Sequence, residues 1–425
     1  MKCLSKFWFT LFLAVSVSGQ SAGSLASAVN MSLIPGATFE MGLDAADIPK
    51  LKERFGVNRD ELFAEEAPKH KVTIGSYYLD RTEVTNAQFK QFVDRNPEWQ
   101  KDKIPAAYHN GKYLHHWSGK NFPPGQENHP VVFVPWYAAA AYCLAQGKRL
   151  PTEAEWEFAA RGGLDGKTFP WGDEMPDKTR ANFGQSGLNA ATNVGSYPAN
   201  GYGLYDMAGN VWEYLTDEWQ TYPRNTTGDP LSPFKDRGYL SVKTRRSLRG
   251  GSYAGGPINL RVTYRDSHAP ENAGDHVGFR CAITAPVQSE ATNELLRLHH
   301  AARASHFTRN ARSMVASFAD DFVDVRNGRV NRPGRDASLG RLQNYFNNST
   351  FIEWDDITPP VIRVSDDGTM GSVVVHKRVR LKAKRPDGTE REETEVFAWL
   401  AVYQKVKGEW KLTTVASTNT PDEDR

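Results

Sequence analysis

Cysteine is scarce in this chain, which has three cysteines in 425 residues. So few cysteines exclude a small disulfide-rich scaffold and leave room for one bridge at most. A large charge of one sign is also missing, because 52 Lys and Arg residues face 50 Asp and Glu residues, for a formal net charge of +2. Without a basic excess, we expect neither nucleic acid nor an acidic lipid surface as a partner.

Long hydrophobic runs are missing as well. The apolar stretch at residues 7–17 (FWFTLFLAVSV) is too short to span a bilayer comfortably. Lys2 and Lys6 precede it, and the small residues of Ala26-Ser27-Ala28 follow it. This order is typical of a secretory signal peptide, predicted here over residues 1–28, although an uncleaved anchor is the alternative. The sequence therefore predicts a periplasmic or secreted protein without a membrane span.

Removal of the signal leaves Cys143 and Cys281 as the cysteines of the mature chain. In an oxidising compartment the two form one disulfide in the simplest interpretation, and two buried free thiols are the alternative.

The composition is typical of a globular protein, with 39% hydrophobic residues. A chain of 425 residues is too long for a single hydrophobic core, so we expect two domains. Residues 30–284 combine many Gly, Trp and Tyr residues with short loops, and we predict helices at 84–95, 135–146 and 153–161. Residues 285–289 form a polar, proline-containing linker. For residues 290–420 we predict helices at 290–303, 311–318 and 337–346. Strands are predicted to follow at 361–364, 371–381, 393–406 and 410–417. This order predicts an α+β protein whose second domain is a cone with a pocket between helices and sheet.

Several phrases of the first domain occur in a fixed order. They are found at residues 34–42, 80–86 (DRTEVTN), 129–132, 147–163 (GKRLPTEAEWEFAARGG), 169–173, 200–213 (NGYGLYDMAGNVWE), 249–253 (RGGSY) and 278–281 (GFRC). Together they resemble the sulfatase-modifying-factor family, to which formylglycine-generating enzymes belong. The resemblance implies a loop-rich domain of the C-type-lectin type.

The same resemblance draws attention to a missing cysteine pair. In formylglycine-generating enzymes, two cysteines just after the Gly-Gly-Ser-Tyr segment bind copper(I) and activate oxygen to oxidise a substrate cysteine. Soft thiolates are the ligands that copper(I) prefers. Here residues 250–261 (GGSYAGGPINLR) contain no cysteine, and Cys143 and Cys281 match family positions that are joined in a disulfide.

Because this cysteine pair is missing, we do not expect copper as a cofactor. The sequence instead favours a family member that binds a protein, peptide or small-molecule ligand, or one that is a divergent oxidoreductase. A formylglycine-generating oxidase acting on a sulfatase cysteine is the alternative.

The family also implies structural calcium. The matching residues are Asp206 and Glu213 by side chain and Gly209 and Val211 by backbone carbonyl, and these are hard oxygen ligands. The alternative is that the two carboxylates only brace the loop. A second family site would begin at Asn182 and Phe183, but Ser186 stands near the position of its acidic ligand.

Five residues are expected to border the cleft that holds the family's active site: Ser252, Tyr253, Arg265, His268 and His276. The two histidines, with Asp275, have the side chains for a borderline metal such as iron or zinc. Their spacing matches no known metal pattern, and solvated loop histidines are the alternative.

The tail carries shorter phrases at residues 319–322 (ADDF), 359–363 (PPVIR), 366–368 (DDG) and 410–412 (WKL). They resemble the SnoaL-like branch of the nuclear-transport-factor-like superfamily, which implies a cone-shaped α+β barrel. We expect Asp321, Tyr345, His376 and Trp399 to line its pocket. The superfamily includes enzymes as well as binding and dimerising modules, so the fold alone does not decide the role of this domain.

Overall fold

The computed structural model describes residues 28, 30–222, 238–326, 328–385 and 387–419. The predicted signal peptide, except Ala28, therefore lies outside the described residues. Within the described ranges, no helix is both long enough and apolar enough to cross a membrane.

The first domain is built from short elements joined by long loops. Its strands are β1 (Met31–Ile34), β2 (Ala37–Met41), β3 (His70–Ile74), β4 (Tyr77–Asp80), β5 (Trp212–Glu218), β6 (Arg246–Arg249), β7 (Asp266–His268), β8 (Val277–Gly278) and β9 (Ala282–Thr284). They form a β1-β4-β9 sheet, a β2-β3 pair and a β7-β6-β5-β8 sheet. Its helices are α1 (Ile48–Phe55), α2 (Glu61–Ala64), α3 (Asn86–Arg95), α4 (Trp136–Ala145) and α5 (Glu153–Arg161).

The three helices predicted for this domain are present, with ends shifted by at most two residues. In α5, Thr152 caps the backbone N–H of Glu155, and the Glu155 side chain returns a bond to the backbone of Thr152, which forms a capping box. Gly162, at φ 56°, ends the helix in the left-handed conformation. Helices α1 and α2 were not predicted, because charged side chains occupy half of α1 and α2 is only four residues long.

The second domain is a helix-covered, strongly bent sheet. Its elements are α6 (Glu290–Phe307), α7 (Ala311–Ala316), β10 (Phe318–Arg326), β11 (Arg329–Asn331), α8 (Arg335–Asn347), β12 (Ser349–Val364), β13 (Met370–Lys384), β14 (Glu390–Val406) and β15 (Glu409–Asn419). The strand order is β11-β10-β15-β14-β13-β12, with β10 parallel to β15. The predicted helices followed by an antiparallel sheet are thus present, and β10 and β11 are additional.

The two domains pack directly against each other. Asn293 of α6 accepts hydrogen bonds through its Oδ1 from the Gly36 backbone N–H at 3.0 Å and from the Ser76 hydroxyl at 2.8 Å. Leu296 is fully buried beside Leu33 of β1. Helix α6 therefore covers the edge of the first domain, and residues 285–289 connect the two domains without regular structure.

Candidate functional site

Cys143 and Cys281 form a disulfide in the core of the first domain. Their Cα atoms are 5.7 Å apart, and both residues are fully buried. The bridge joins α4 to the residue just before β9. Of the two interpretations left open by the sequence, the disulfide is the one observed, and it leaves neither sulfur as a free thiolate.

The segment without cysteines, residues 250–261, leaves β6 and lies against the loop of residues 200–213. The backbone carbonyl of Gly250 accepts a hydrogen bond from the Gly209 N–H at 2.8 Å, and the Asn210 carbonyl accepts one from the Tyr253 N–H at 2.9 Å. Gly250 has a φ of 97°, and a Cβ there would meet the Trp156 ring at 3.3 Å. The segment is thus held by backbone contacts that need glycine.

Three of the five predicted cleft residues come together at the surface. His276 Nδ1 lies 2.7 Å from Asp275 Oδ1, and Tyr253 also hydrogen-bonds to Asp275, which together with burial raises the pKa of the phenol. The His268 ring centroid is 6.1 Å from that of His276. The cluster of Tyr253, His268, Asp275 and His276 offers donors and acceptors to a ligand.

This cluster does not have the arrangement of a metal centre. Among the residues that the structure describes, no group of three or more His, Cys, Asp or Glu side chains is placed to hold a metal ion. Half-burial also lowers the pKa of His268, so its imidazole is neutral at physiological pH and suited to hydrogen bonding.

Arg265 and Ser252 are placed differently from the expectation. Arg265 is 3% exposed, and its guanidinium donates to both carboxylate oxygens of Glu153, at 2.6 and 3.1 Å. It also lies over the rings of Trp219 and Tyr222. Ser252 is 1% exposed and accepts a hydrogen bond from the Ala254 N–H. The prediction that these two residues face a cleft is wrong, because both are used in packing.

Arg265 belongs to an interior ion-pair network. Arg249, fully buried, donates to Glu153 at 2.9 Å and to Glu157 at 2.9 Å, and Arg161 donates to Glu157 at 2.6 Å. The charges of Arg161 and Arg249 hold the pKa of Glu157 below its usual value, although burial alone would raise it. The glutamates of the PTEAEWEFAAR phrase therefore face the core, a role that sequence spacing did not reveal.

The predicted calcium loop places Asp206 beside Glu83, a residue that sequence reasoning missed. Asp206 is 5% exposed and Glu83 is fully buried. Apart from the hydrogen bond that the two carboxyl groups share, Asp206 Oδ1 and Glu83 Oε2 have no hydrogen-bond partner among the described residues. Burial raises the pKa of Asp206 to about 6, and burial with the neighbouring Asp206 carboxylate raises that of Glu83 well above its usual value. Carboxylate oxygens are of the hard type that calcium binds.

Glu213, the other predicted acidic ligand, has a different environment. Its two carboxylate oxygens accept hydrogen bonds from Arg280, both at 2.7 Å, and Trp156 Nε1 donates to one of them at 2.9 Å. Gly209 has a φ of 88°, and a Cβ there would lie 2.3 Å from the Asn182 carbonyl oxygen. For Glu213 the structure thus favours the bracing role, because both of its carboxylate oxygens accept hydrogen bonds. Gly209 and Val211 lie in the same loop, as expected.

At the second predicted calcium position, Asn182 Oδ1 accepts a hydrogen bond from the Ser186 hydroxyl at 2.9 Å. Phe183 is 3% exposed and packs in an apolar cluster with Phe169 and Leu260. A serine hydroxyl stands where the family has a carboxylate, so the charge that would hold calcium is missing at this position.

The second domain contains a cavity of about 330 Å³ between its helices and the concave face of the sheet. Tyr345 and Trp399 line it, as predicted. Asp321 and His376 do not, because both are exposed on the other side of their strands. Side chains alternate along a strand, so the adjacent residues face inward: Phe322 on β10 and Lys377 on β13.

One end of this cavity carries a charged trio that the sequence did not suggest. His299 of α6 lines the cavity, and its Nε2 lies 2.7 Å from Asp356 Oδ2. Lys377 is fully buried, with its Nζ 2.7 Å from Asp356 Oδ1. Although burial alone would raise the pKa of Asp356, the charges of His299 and Lys377 hold it well below its usual value. The carboxylate is therefore ionised across the physiological range.

Comparison with known proteins places the first domain in a family. Residues 19–285 match the sulfatase-modifying factor enzyme 1-like domain. Formylglycine-generating enzyme of Mus musculus is 32% identical over 292 residues, which cover 59% of this chain and 73% of that protein. The corresponding enzyme of Streptomyces coelicolor is 34% identical over 273 residues, with 54% and 85% coverage.

A third similar protein, inactive C-alpha-formylglycine-generating enzyme 2 of Bos taurus, is 33% identical over 300 residues, covering 60% of this chain and 89% of that protein. The family match spans more than half of the chain and ends at residue 285, just before the second domain. The chain therefore belongs to the sulfatase-modifying factor enzyme 1-like family.

Proposed function

We propose that this chain is an exported ligand-binding member of the family that has lost copper-dependent formylglycine generation. The first domain would recognise a protein, peptide or small molecule at the cluster of Tyr253, His268, Asp275 and His276. The second domain would bind a small ligand in its cavity.

The main support for this proposal is that no cysteine is available to bind copper. Residues 250–261 contain none, and Cys143 and Cys281 are joined and fully buried. Copper(I) needs soft ligands, and the mature chain has no thiolate to supply them while this bridge is intact. The similarity to a relative named as inactive supports the same conclusion.

Export is part of the proposal. The apolar segment at residues 7–17 supports it, and so does the buried disulfide, because such bridges persist in oxidising compartments. Recovery of a chain that begins after residue 28 from outside the cytoplasm tests this part.

Calcium is proposed as a structural cation of the first domain. Asp206 and Glu83 would hold it, with the Gly209 and Val211 carbonyls of the same loop. When bound, the cation neutralises two buried carboxylates and fixes the loop against residues 250–261, which border the proposed ligand site.

The direct test of the lost activity is incubation of the mature protein with copper(I), oxygen and a sulfatase-type cysteine peptide, followed by mass spectrometry of the peptide. We expect the cysteine to remain unchanged while a functional formylglycine-generating enzyme converts it in parallel. Conversion by this protein would show that it is an oxidase and would overturn the proposal.

A second role of the cone, pairing with another copy, is favoured by its open sheet face. Val361, Val374 and Leu400 are opposite one another on β12, β13 and β14, and each is between 38% and 50% exposed. Apolar side chains grouped in this way on a surface mark an interaction site. We therefore propose a homodimer through this face.

A further inference from the structure

Five charged side chains meet where the cone contacts the first domain, and we call them the charge cluster: Arg81, Arg303, Asp355, Asp356 and Lys377. Asp355 accepts a hydrogen bond from Arg303 at 2.9 Å and lies 3.2 Å from Arg81. Asp356 lies 2.7 Å from Lys377. Lys377 interacts electrostatically with Arg303 and Asp355 as well as with Asp356, so the five residues form one electrostatic unit.

The charges in this cluster do not balance. Three cations face two carboxylates, which leaves one positive charge in excess. Lys377 is fully buried, Arg303 and Asp355 are 3% and 4% exposed, and the Arg81 side chain is 14% exposed. A buried charge without a counter-charge is costly. An additional anion at the buried end of the cluster would therefore be stabilising.

The cavity of the cone gives access to this excess charge. His299 lines the cavity and contacts Asp356. Val373 and Val379 of β13 also line it, and Lys377 lies between them on the same face because side chains alternate along a strand. The Lys377 Nζ is 5.7 Å from the ring centroid of Trp399, another lining residue. An anion entering the cavity would therefore reach the cluster at the His299 end.

Much of the remaining cavity wall is aromatic, with Phe318, Phe322, Trp354, Phe397 and Trp399 among its residues. Charged side chains line it as well: Glu395, and Asp324 with its partners Arg326 and Arg341. Its volume of about 330 Å³ is at the small end of ligand sites. Tyr403 also lines the cavity and is 6% exposed.

We propose that the cone cavity binds a small amphipathic carboxylate. Its carboxylate lies at the end of the cavity near His299 and Lys377 and adds a counter-charge to the charge cluster, while its apolar body packs against the aromatic side chains of the wall. This assignment rests on the proposed ligand-binding role of the cone and adds the chemical class of the ligand.

The test compares two probes of the same shape, phenylhexanoate and phenylhexanamide, by calorimetric titration of the mature protein. We expect the carboxylate to bind at least about tenfold more tightly than the neutral amide, since a charged partner strengthens a buried hydrogen bond. Equal affinities would overturn the carboxylate assignment but leave a ligand-binding cavity. Failure of both probes to bind would overturn the assignment together with the proposed role of the cone.

Two variants shift the charge of the cluster in opposite directions. Lys377→Met removes the excess positive charge, and we expect it to abolish the preference for the carboxylate while amide binding persists. Asp355→Asn adds to the excess without changing a lining residue, and we expect it to increase the preference several-fold. General destabilisation cannot produce that increase. His376→Gln, at the exposed neighbour of Lys377, is the matched control and leaves both affinities unchanged.

An unchanged preference in Asp355→Asn, or a preference that persists in folded Lys377→Met, would overturn the assignment.

Discussion

Arg265 illustrates how burial changes the role of a single residue. Its place in a polar, histidine-containing segment suggested a cleft residue, yet its side chain is enclosed by Glu153, Trp219 and Tyr222. Nothing in a single sequence marks an arginine as buried, because its partner Glu153 is 112 positions away. His268 and His276, in contrast, lie near the surface with Tyr253, as expected.

We predict that Arg265→Ala destabilises the protein. Removing Arg265 leaves the buried Glu153 with Arg249, which it shares with Glu157, and loss of one partner from a buried ion-pair network costs about 3 kcal/mol of the free energy of unfolding. The midpoint of urea unfolding should fall clearly for this variant. His276→Ala, at the partly exposed cluster, should change the free energy by less than about 0.5 kcal/mol. An unchanged midpoint for Arg265→Ala would contradict the packing role.

The carboxyl pair of Glu83 and Asp206 predicts how stability depends on pH. The folded-state pKa of Asp206, about 6, exceeds its usual 3.8, so the folded state holds its proton more tightly than the unfolded state. Stability is therefore highest below pH 4 for this group and falls as the pH rises through 6, by roughly 3 kcal/mol in the absence of a cation. Glu83 contributes in the same direction.

Calcium should reverse this loss, because it binds the ionised pair. We expect added calcium to raise the melting temperature more at pH 7.5 than at pH 5, relative to a chelator, and Asp206→Asn to abolish the difference. Asp320→Asn, on the exposed surface of the cone, is the control. Burial also raises the pKa of Asp217, to about 7. This group therefore adds a similar fall in stability with rising pH, and calcium should not change that fall. No calcium effect at either pH would exclude this cation site.

Among the secondary-structure elements, the long strands of the cone show best what the sequence could predict. Alternation identified β13, β14 and β15, but β12 was predicted only at residues 361–364. Register shifts between Phe351 and Glu353 and between Asp356 and Val361 interrupt its alternation, and Pro359 and Pro360 obscure the pattern further. Bulges of this kind bend a strand, so the feature that hid β12 also contributes to the curvature around the cavity.

The inward and outward faces of β13 could not be assigned from alternation alone. His376 was expected to face the cavity, whereas the buried face of the strand carries Val375, Lys377 and Val379. A lysine on the buried face contradicts the usual polarity of a sheet, and the ion pair with Asp356 stabilises it there. That partner is distant in the sequence, which is why the face was assigned wrongly.

The outward face of β13 and β14 leads to a prediction about assembly. It carries the exposed row of Val361, Val374 and Leu400. Arg380 and Glu392, also on this face, pair within one chain at 3.7 Å, so the apolar row is the part of the face that a second copy would bury.

We expect the mature chain to sediment as a dimer and Leu400→Asp to sediment as a monomer. Val330→Asp, at an exposed valine of the short strand β11, should leave the dimer intact. A monomeric wild-type protein at micromolar concentration would contradict the pairing.

At the scale of the whole molecule, the two domains are joined through the loop that carries Asp206. The Tyr205 hydroxyl donates to Asp355 of the cone at 2.6 Å, and Arg81, two residues from Glu83, pairs with the same carboxylate. The domain order and the loop-rich character of the first domain could be predicted from composition and from its ordered phrases. These contacts between domains could not, because they join residues 150 or more positions apart.

We expect this family member to lack the copper-thiolate oxidase activity of formylglycine-generating enzymes. The most direct measurement follows the mass of a sulfatase-type cysteine peptide incubated with copper(I), oxygen and the mature protein, with and without mild reduction of the Cys143–Cys281 bridge. We predict an unchanged cysteine in both samples, while a functional formylglycine-generating enzyme converts the same peptide. Formation of formylglycine in either sample would contradict the account, and conversion confined to the reduced sample would identify Cys143 and Cys281 as the ligands of copper.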